Sequence, residues 1–150
     1  MITDDQVRAL AAQNRINDTV IFREYIQLVF LQKLYQKTPS QKIFFKGGTA
    51  IHLIYRAPRF SEDLDFTVAL SEKSFEAYIQ GVLKRMEIEE GVAWKEKKSL
   101  AGKQYLLNAP PGVLPYATTV ALDFSFREKV YSPARSVIQS AYPVLFTSYV

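Results

Sequence analysis

The fold of this chain is decided by the stretch Lys46-Gly-Gly-Thr-Ala-Ile-His-Leu-Ile-Tyr-Arg-Ala-Pro-Arg-Phe-Ser-Glu-Asp-Leu-Asp-Phe66. A short apolar run precedes it, two glycines open it, and two aspartates separated by one leucine close it. The residues after the glycines predict a short helix from Ala50 to Arg56, and the turn at Pro58 predicts a return into a second strand. The stretch therefore predicts a strand, a glycine turn, a helix and a strand that begins with two acids.

The two aspartates, Asp63 and Asp65, predict a cation site. Because side chains alternate along a strand that rises about 3.3 Å per residue, these two share a face roughly 6.6 Å apart, with Leu64 and Phe66 in the core. Two carboxylates on one face raise each other's pKa unless a cation lies between them. Oxygen ligands of this kind suit Mg²⁺ together with waters and substrate phosphates. The alternative is a solvated strand face, which is the commoner meaning of an isolated Asp-x-Asp.

The glycine turn predicts a phosphate site. Gly47 and Gly48 allow backbone N–H groups to approach a ligand closely, and the helix that follows directs the positive end of its dipole to the same place. The Thr49 hydroxyl is able to donate to a phosphate oxygen or to cap the helix. Taken alone, Gly-Gly-Thr before a helix is more often a simple turn with an N-cap, so the prediction depends on the acids that follow.

Glycines and acids at this spacing resemble a known motif. Gly48-Thr49, a gap of thirteen residues and Asp63-Leu-Asp-Phe66 resemble the motif of the polymerase-beta-like nucleotidyltransferase superfamily. The fuller pattern from Phe44 to Thr67 resembles more narrowly the AbiEii/AbiGii/MenA family, whose members are the toxin halves of bacterial abortive-infection and toxin–antitoxin pairs. The resemblance implies an α/β (α+β) fold, the minimal nucleotidyltransferase fold, with a mixed β-sheet flanked by helices.

The same resemblance implies an activity. It is the Mg²⁺-dependent transfer of a nucleoside monophosphate from an NTP to an acceptor such as RNA, particularly tRNA. The implied catalytic residues and ligands of two Mg²⁺ ions are Asp63, Asp65 and Asp123. The implied nucleotide-binding residues are Gly47, Gly48, Thr49, Lys46, Arg59 and Ser61. Two alternatives stay open, namely that Lys46 faces away and that Arg59 only braces the aspartates. The implied partners are the NTP, the RNA acceptor and a cognate antitoxin protein.

Asp123 enters through a second patterned strand, Thr118 to Phe126. The apolar side chains of this strand alternate toward one face: Val120, Leu122, Phe124 and Phe126. Asp123 and Ser125 are left on the other face, where a carboxylate is able to be simply solvated. Because superfamily members place a third acid on a strand beside the first pair, the resemblance implies that Asp123 is that acid.

Composition limits the class of protein. A chain of 150 residues predicts one domain, here with N-terminal helices over 3–37 and a catalytic core over 42–126. The absence of cysteine excludes disulfides and thiolate metal sites, and it is compatible with the cytoplasm. No leader pattern or long apolar stretch is present, so we expect a cytoplasmic protein without membrane contact. The net charge of +4 favours an anionic partner only mildly.

The rest of the chain supplies helices and strands around this core. Capped helical patterns are predicted over 3–14, 19–36 and 72–89, and strands over 94–99 and 103–109. Four lysines in those strands are able to contact phosphates or to guard an exposed edge, and we favour the guard: Lys95, Lys97, Lys98 and Lys103. Near the C-terminus, Ser132-Pro133 predicts the start of a short helix through Gln139.

One departure from the family pattern concerns length. Family members usually continue into a helical domain that carries a further lysine and an Arg-Asp…Asp segment, whereas this chain ends at Val150. We therefore expect that domain to be absent, and expect metal and NTP to bind with weak turnover. Two alternatives remain: a nucleotide- or RNA-binding module that has lost catalysis, and an antitoxin-binding component whose acids have only structural roles.

Overall fold

The structure is a computed structural model that describes residues 1–55, 62–97, 99, 102–127, 134–139 and 145–150. Four α-helices lie within these ranges: α1 (Asp4–Asn14), α2 (Asp18–Leu34), α3 (Gly47–Tyr55) and α4 (Glu72–Glu90). Seven strands accompany them: β1 (Ile43–Lys46), β2 (Asp63–Val68), β3 (Ala93–Lys97), β4 (Gly102–Ala109), β5 (Thr118–Ser125), β6 (Arg135–Gln139) and β7 (Leu145–Tyr149). A 3-10 turn, Thr38–Lys42, leads into β1.

Three of the four described helices begin after residues whose side chains satisfy free backbone N–H groups at the helix N-terminus. Thr3 and Gln6 form a capping box at α1, Asn17 accepts from a backbone N–H at α2, and Ser71 does the same at α4. Gly91 ends α4 in the left-handed conformation. The capped helices predicted over 3–14, 19–36 and 72–89 are therefore present as α1, α2 and α4. No helix of the described ranges has the length and apolar character needed to cross a membrane.

The five-stranded sheet has the order β1-β2-β5-β4-β3, and β6 pairs with β7 separately. Neighbouring strands in the larger sheet are antiparallel except β2 and β5, which run parallel. Because parallel neighbours need a crossover, α4, β3 and β4 lie between these two strands in sequence. The predicted fold class, a mixed β-sheet flanked by helices, is confirmed.

A cluster of aromatic rings fixes β2 against β5 on the core side of the sheet. The rings of Phe66 and Phe124 stack with their centroids 4.7 Å apart. Phe75 of α4 lies 4.6 Å from Phe124, and Phe30 of α2 meets Phe66 edge-on. All four rings are fully buried, and such contacts add about 0.5–1.5 kcal/mol each beyond their buried area. The aromatic cluster therefore fixes the two acid-bearing strands against each other from the core face of the sheet.

The C-terminal segment differs from its prediction. The short helix expected from Ser132 through Gln139 is wrong, because Arg135–Gln139 is strand β6 and pairs antiparallel with β7. Short runs that contain two β-branched residues do not distinguish helix from strand by periodicity, and a partner strand decided this one. Element boundaries also differ by a few residues: α3 begins at Gly47, not Ala50, and β3 is Ala93–Lys97, not 94–99.

The core holds one polar group whose removal should stabilise the protein. The Tyr105 hydroxyl is buried without a hydrogen-bond partner in the described ranges, and burial, with Glu96 and Glu76 nearby, raises the pKa of Tyr105 to about 12. We expect Tyr105→Phe to raise the free energy of unfolding by about 1 kcal/mol in urea melts. The control Tyr116→Phe, which removes a hydroxyl bonded to Thr19, should not raise it. A destabilised Tyr105→Phe would contradict this account.

Candidate functional site

The acids predicted on β2 and β5 lie next to each other. Asp65 and Asp123 are directly paired residues of the two parallel strands, so both side chains project from the same face. Asp63 lies on that face one pleat earlier, opposite Ala121. Asp63 is exposed, whereas Asp65 and Asp123 are half-buried. The structure thus brings all three acids to one side of the sheet, opposite the buried Phe66.

The surroundings of Asp65 oppose ionisation of its carboxyl group. Burial raises the pKa of Asp65 above its ordinary value, and the negative charges of Asp123 and Asp63 raise it further. The cation of Lys46, its cross-strand neighbour on β1, acts in the opposite direction. A negative charge at Asp65 is therefore unfavourable in the protein alone, and a bound cation would relieve it.

The glycine turn meets the acids at the end of β1. Gly47 has a φ of +83°, and a Cβ built on it would lie 2.6 Å from Asp65 Oδ2. Glycine is needed here both for the backbone conformation and for the approach of that carboxylate. Gly48, which is exposed, follows in the first turn of α3. The turn and the Asp65 carboxylate are therefore in direct contact.

Thr49 has a different immediate contact from the two that the sequence suggested. Its side chain is 1% exposed, and its hydroxyl donates to the backbone carbonyl of Asp63 at 2.5 Å. The hydroxyl therefore ties the start of α3 to the first residue of β2, and this bond uses its single donor hydrogen. Arg59 and Ser61, the other predicted nucleotide-binding residues, lie outside the described residues.

Several residues near the acids were not found from the sequence. Gln104 of β4 pairs with Asp123 and donates from Nε2 to Oδ2 at 3.4 Å. Arg23 of α2 lies 3.5 Å from Glu62 and donates to the Thr119 carbonyl, so it braces the chain before β2 against β5. Alternation along β4 was the available signal for Gln104, but only the strand register reveals its partner.

A second helix contact lies behind the glycine turn. His52 of α3 places Nε2 2.9 Å from Glu24 Oε1 of α2, and both side chains are largely buried. This pair fastens α3 to α2 and so helps to fix the turn at its N-terminus.

The donor set fits a divalent cation in its chemistry. All three candidate ligands are carboxylates, which Mg²⁺ prefers, and the unfavourable charge at Asp65 is the kind that a cation stabilises. Within the described ranges, however, no three histidine, cysteine or acidic side chains are grouped closely enough to hold an ion as they stand. The assignment of Asp63, Asp65 and Asp123 as ligands therefore stays a prediction.

The structure has the arrangement that the resemblance to nucleotidyltransferases implies: a strand, a glycine turn, a helix and a strand with two acids, beside a parallel strand with a third acid. The sequence matches the family described as "Nucleotidyl transferase AbiEii toxin, Type IV TA system" over residues 29–148. The chain belongs to this AbiEii family of nucleotidyltransferase toxins. No curated protein sequence matches it.

Solved structures support the fold. MenT4, a nucleotidyltransferase toxin from Mycobacterium tuberculosis H37Rv, is similar with a TM-score of 0.59 and 18% identity, over 85% of this chain and 44% of that protein. JHP933 from Helicobacter pylori is similar with a TM-score of 0.55 and 21% identity, over 77% of this chain and 47% of that protein. The chain thus spans less than half the length of either structure.

The contact between Gly47 and Asp65 predicts a measurable stability difference between two glycines. Gly91 has a similar φ of +68°, but a Cβ there would meet nothing within 4 Å. Both Gly→Ala variants should lose about 1–2 kcal/mol of backbone energy. Gly47→Ala should lose about 0.5–1.5 kcal/mol more, the cost of forcing the Asp65 side chain off its rotamer. Equal losses in urea melts would contradict the close approach.

The raised pKa of Asp65 predicts a pH-dependent gain from Asp65→Asn. Ionisation costs the folded state free energy above the folded pKa, and this cost is absent below the unfolded pKa. In EDTA at neutral pH, the free energy of unfolding of the variant should be higher by about 0.5–2 kcal/mol, the usual range for a single stabilising substitution. The gain should shrink as the pH falls toward about 4.

The matched control for this experiment is Asp4→Asn in α1. Asp4 pairs with Arg8 at 3.0 Å in the first turn of the helix, so its loss should lower stability by about 0.3–1 kcal/mol. The two Asp→Asn variants should therefore differ in sign at neutral pH. If both are destabilising in EDTA, repulsion at Asp65 is not the controlling interaction.

Proposed function

We propose that this chain is the catalytic portion of a metal-dependent nucleotidyltransferase that transfers a nucleoside monophosphate from an NTP to an acceptor RNA such as tRNA. It would act as the toxin of a type IV pair in the cytoplasm, held in check by a cognate antitoxin. The observation that carries the proposal is geometric: Asp65 lies side by side with Asp123, and the Gly47 turn abuts the Asp65 carboxylate.

The residues divide between the two ends of the substrate. Gly47 and Gly48 would present backbone N–H groups to the β- and γ-phosphates, and the N-terminus of α3 would favour their charge. Lys46 lies on β1 directly across from Asp65, and its positive charge lowers the pKa of that carboxyl. Thr49 and the His52–Glu24 pair would hold the turn in place through the contacts described above.

The chemistry is an in-line displacement at the α-phosphorus. An acceptor hydroxyl oxygen forms a bond to that phosphorus, the bond to the bridging oxygen of the β-phosphate breaks, and pyrophosphate leaves. Asp123 would accept the hydroxyl proton or orient the group, and Gln104 would hold Asp123. Two Mg²⁺ ions on Asp63, Asp65 and Asp123 would supply charge stabilisation for the attacking and leaving oxygens.

The proposed domain division follows the same contacts. Residues 42–126 would form the catalytic core, and the helices over 3–37 would support it, since α2 contributes Phe30 to the core and Arg23 to the edge of the site. The chain spans less than half of each of the two similar structures. Binding of the NTP and transfer of the nucleotide are therefore measured separately.

The test is labelling of total RNA with each α-labelled NTP, together with calorimetry of Mg²⁺ and a non-hydrolysable NTP. We expect the unaltered chain to bind both, and to label RNA at a measurable rate. Asp65→Asn and Asp123→Asn should reduce labelling by roughly 100-fold or more, because each removes several kcal/mol of stabilisation of transition-state charge. EDTA should abolish labelling.

The control is Asp5→Asn, an exposed acid of α1, which should leave labelling unchanged. Metal and NTP binding without transfer by any variant would favour the alternative, a binding module without catalysis. The proposal fails if the unaltered chain binds no NTP in the presence of Mg²⁺, or if Asp65→Asn and Asp123→Asn label RNA as well as the unaltered chain.

A further inference from the structure

A single row of side chains crosses the entire five-stranded sheet on the face of the acids. The strand pairings place Lys46, Asp65, Asp123, Gln104 and Lys97 opposite one another in succession, from β1 to β3. Directly paired residues project from the same face. The candidate site therefore continues sideways across β4 to the edge strand, as one surface.

This face is open over β3, β4 and β5. Along these strands the residues of the opposite, core face are mostly buried, whereas those of the acid face are exposed or half-buried. Near the start of β5, Thr119 and its partner Asn108 are exposed. Ala121, two residues before Asp123, and its partner Leu106 are half-buried. We call this area the β3–β5 face. It is a polar sheet surface with a small apolar floor, continuous with the acids.

The positive and negative side chains of the edge strand β3 project from opposite faces of the sheet. Lys95 and Lys97 lie on the β3–β5 face, are exposed, and form no ion pair with the described residues. Glu96 points to the other side and pairs with Lys103, which also lies near Glu76 of α4. The unpaired positive charges of β3 are thus on the side of the acids, about 10 Å, or two strand spacings, from Asp123.

We propose that the β3–β5 face binds a single-stranded segment of the nucleic-acid acceptor, with Lys95 and Lys97 contacting its phosphates. The inference rests on the proposed function, because it places the acceptor hydroxyl at Asp123. Phosphates one or two nucleotides from that hydroxyl then reach the edge lysines. Leu106 and Ala121 offer an apolar floor for a base or sugar, and Asn108 and Thr119 offer hydrogen bonds beside it.

Two observations favour this acceptor over a protein. A polyanion that approaches three carboxylates needs cations close by, and the two exposed lysines of this face supply them. Lysines that only prevent edge-to-edge strand pairing must lie on the edge strand, but they need not all project from the same face of the sheet. Here the unpaired lysines of β3 do project from one face. The floor is also small, whereas a protein interface requires a larger apolar centre.

The test measures binding without turnover. The probe is a fluorescent single-stranded RNA of mixed sequence, about 12 nucleotides long with a free terminal hydroxyl, in fluorescence anisotropy at several salt concentrations. Lys95→Glu/Lys97→Glu should weaken binding about 10-fold. It should also reduce the steepness with which the logarithm of the binding constant falls against the logarithm of the salt concentration by about 1.4, because two phosphate contacts are lost. The control, Lys73→Glu/Lys84→Glu in α4, carries the same charge change on exposed positions below the core face.

The outcomes separate this inference from the proposed function. It is supported if only the β3 variant loses RNA affinity while its circular dichroism and its Mg²⁺-dependent NTP binding are unchanged, even if no variant transfers a nucleotide. It is overturned if both double variants lose affinity equally, which would indicate net charge alone, or if neither does. Absence of RNA binding by the unaltered chain, or a protein as the labelled acceptor, would also overturn it. A DNA version of the probe distinguishes RNA from any single strand.

Discussion

The parallel pairing of β2 with β5 is the constraint on which the rest of the structure depends. It sets Asp65 beside Asp123 on one face and stacks Phe66 on Phe124 on the other. Because side chains alternate, a shift of either strand by one residue would bury the acids and expose the rings. The aromatic stack therefore fixes the register that makes the site, and core packing and chemistry are specified by adjacent residues.

This arrangement places stability and function in opposition at one position. Burial and two neighbouring carboxylates disfavour the charge of Asp65, and Lys46 is the described group that lowers its pKa. The surrounding structure holds the acid there: the Phe66 stack lies below, and Thr49 ties α3 to the carbonyl of Asp63. Strain of this kind is common where proteins pre-form a charged site, since the partner that relieves it is the ligand.

Much of this was readable from the sequence because it is local. Alternation in Asp63–Phe66 and Thr118–Phe126 gave the faces of both strands, and the caps gave the helices. Gln104 and Arg23 were missed because their partners depend on strand order and helix docking, which one segment does not specify. The predicted C-terminal helix failed for the same reason, since β6 is a strand through its pairing with β7.

The two sides of the acid face differ in how exposed they are. On the β1–β2 side the face is covered beyond the acids, where Phe44 is 9% exposed and Thr67 is 4% exposed. On the β3–β5 side it is open to the sheet edge. The glycine turn lies on the first side and Gln104 on the second. In the proposed reaction the nucleotide would therefore approach the acids from the side of the glycine turn and the acceptor from the β3–β5 side, so the two would not compete for the same surface.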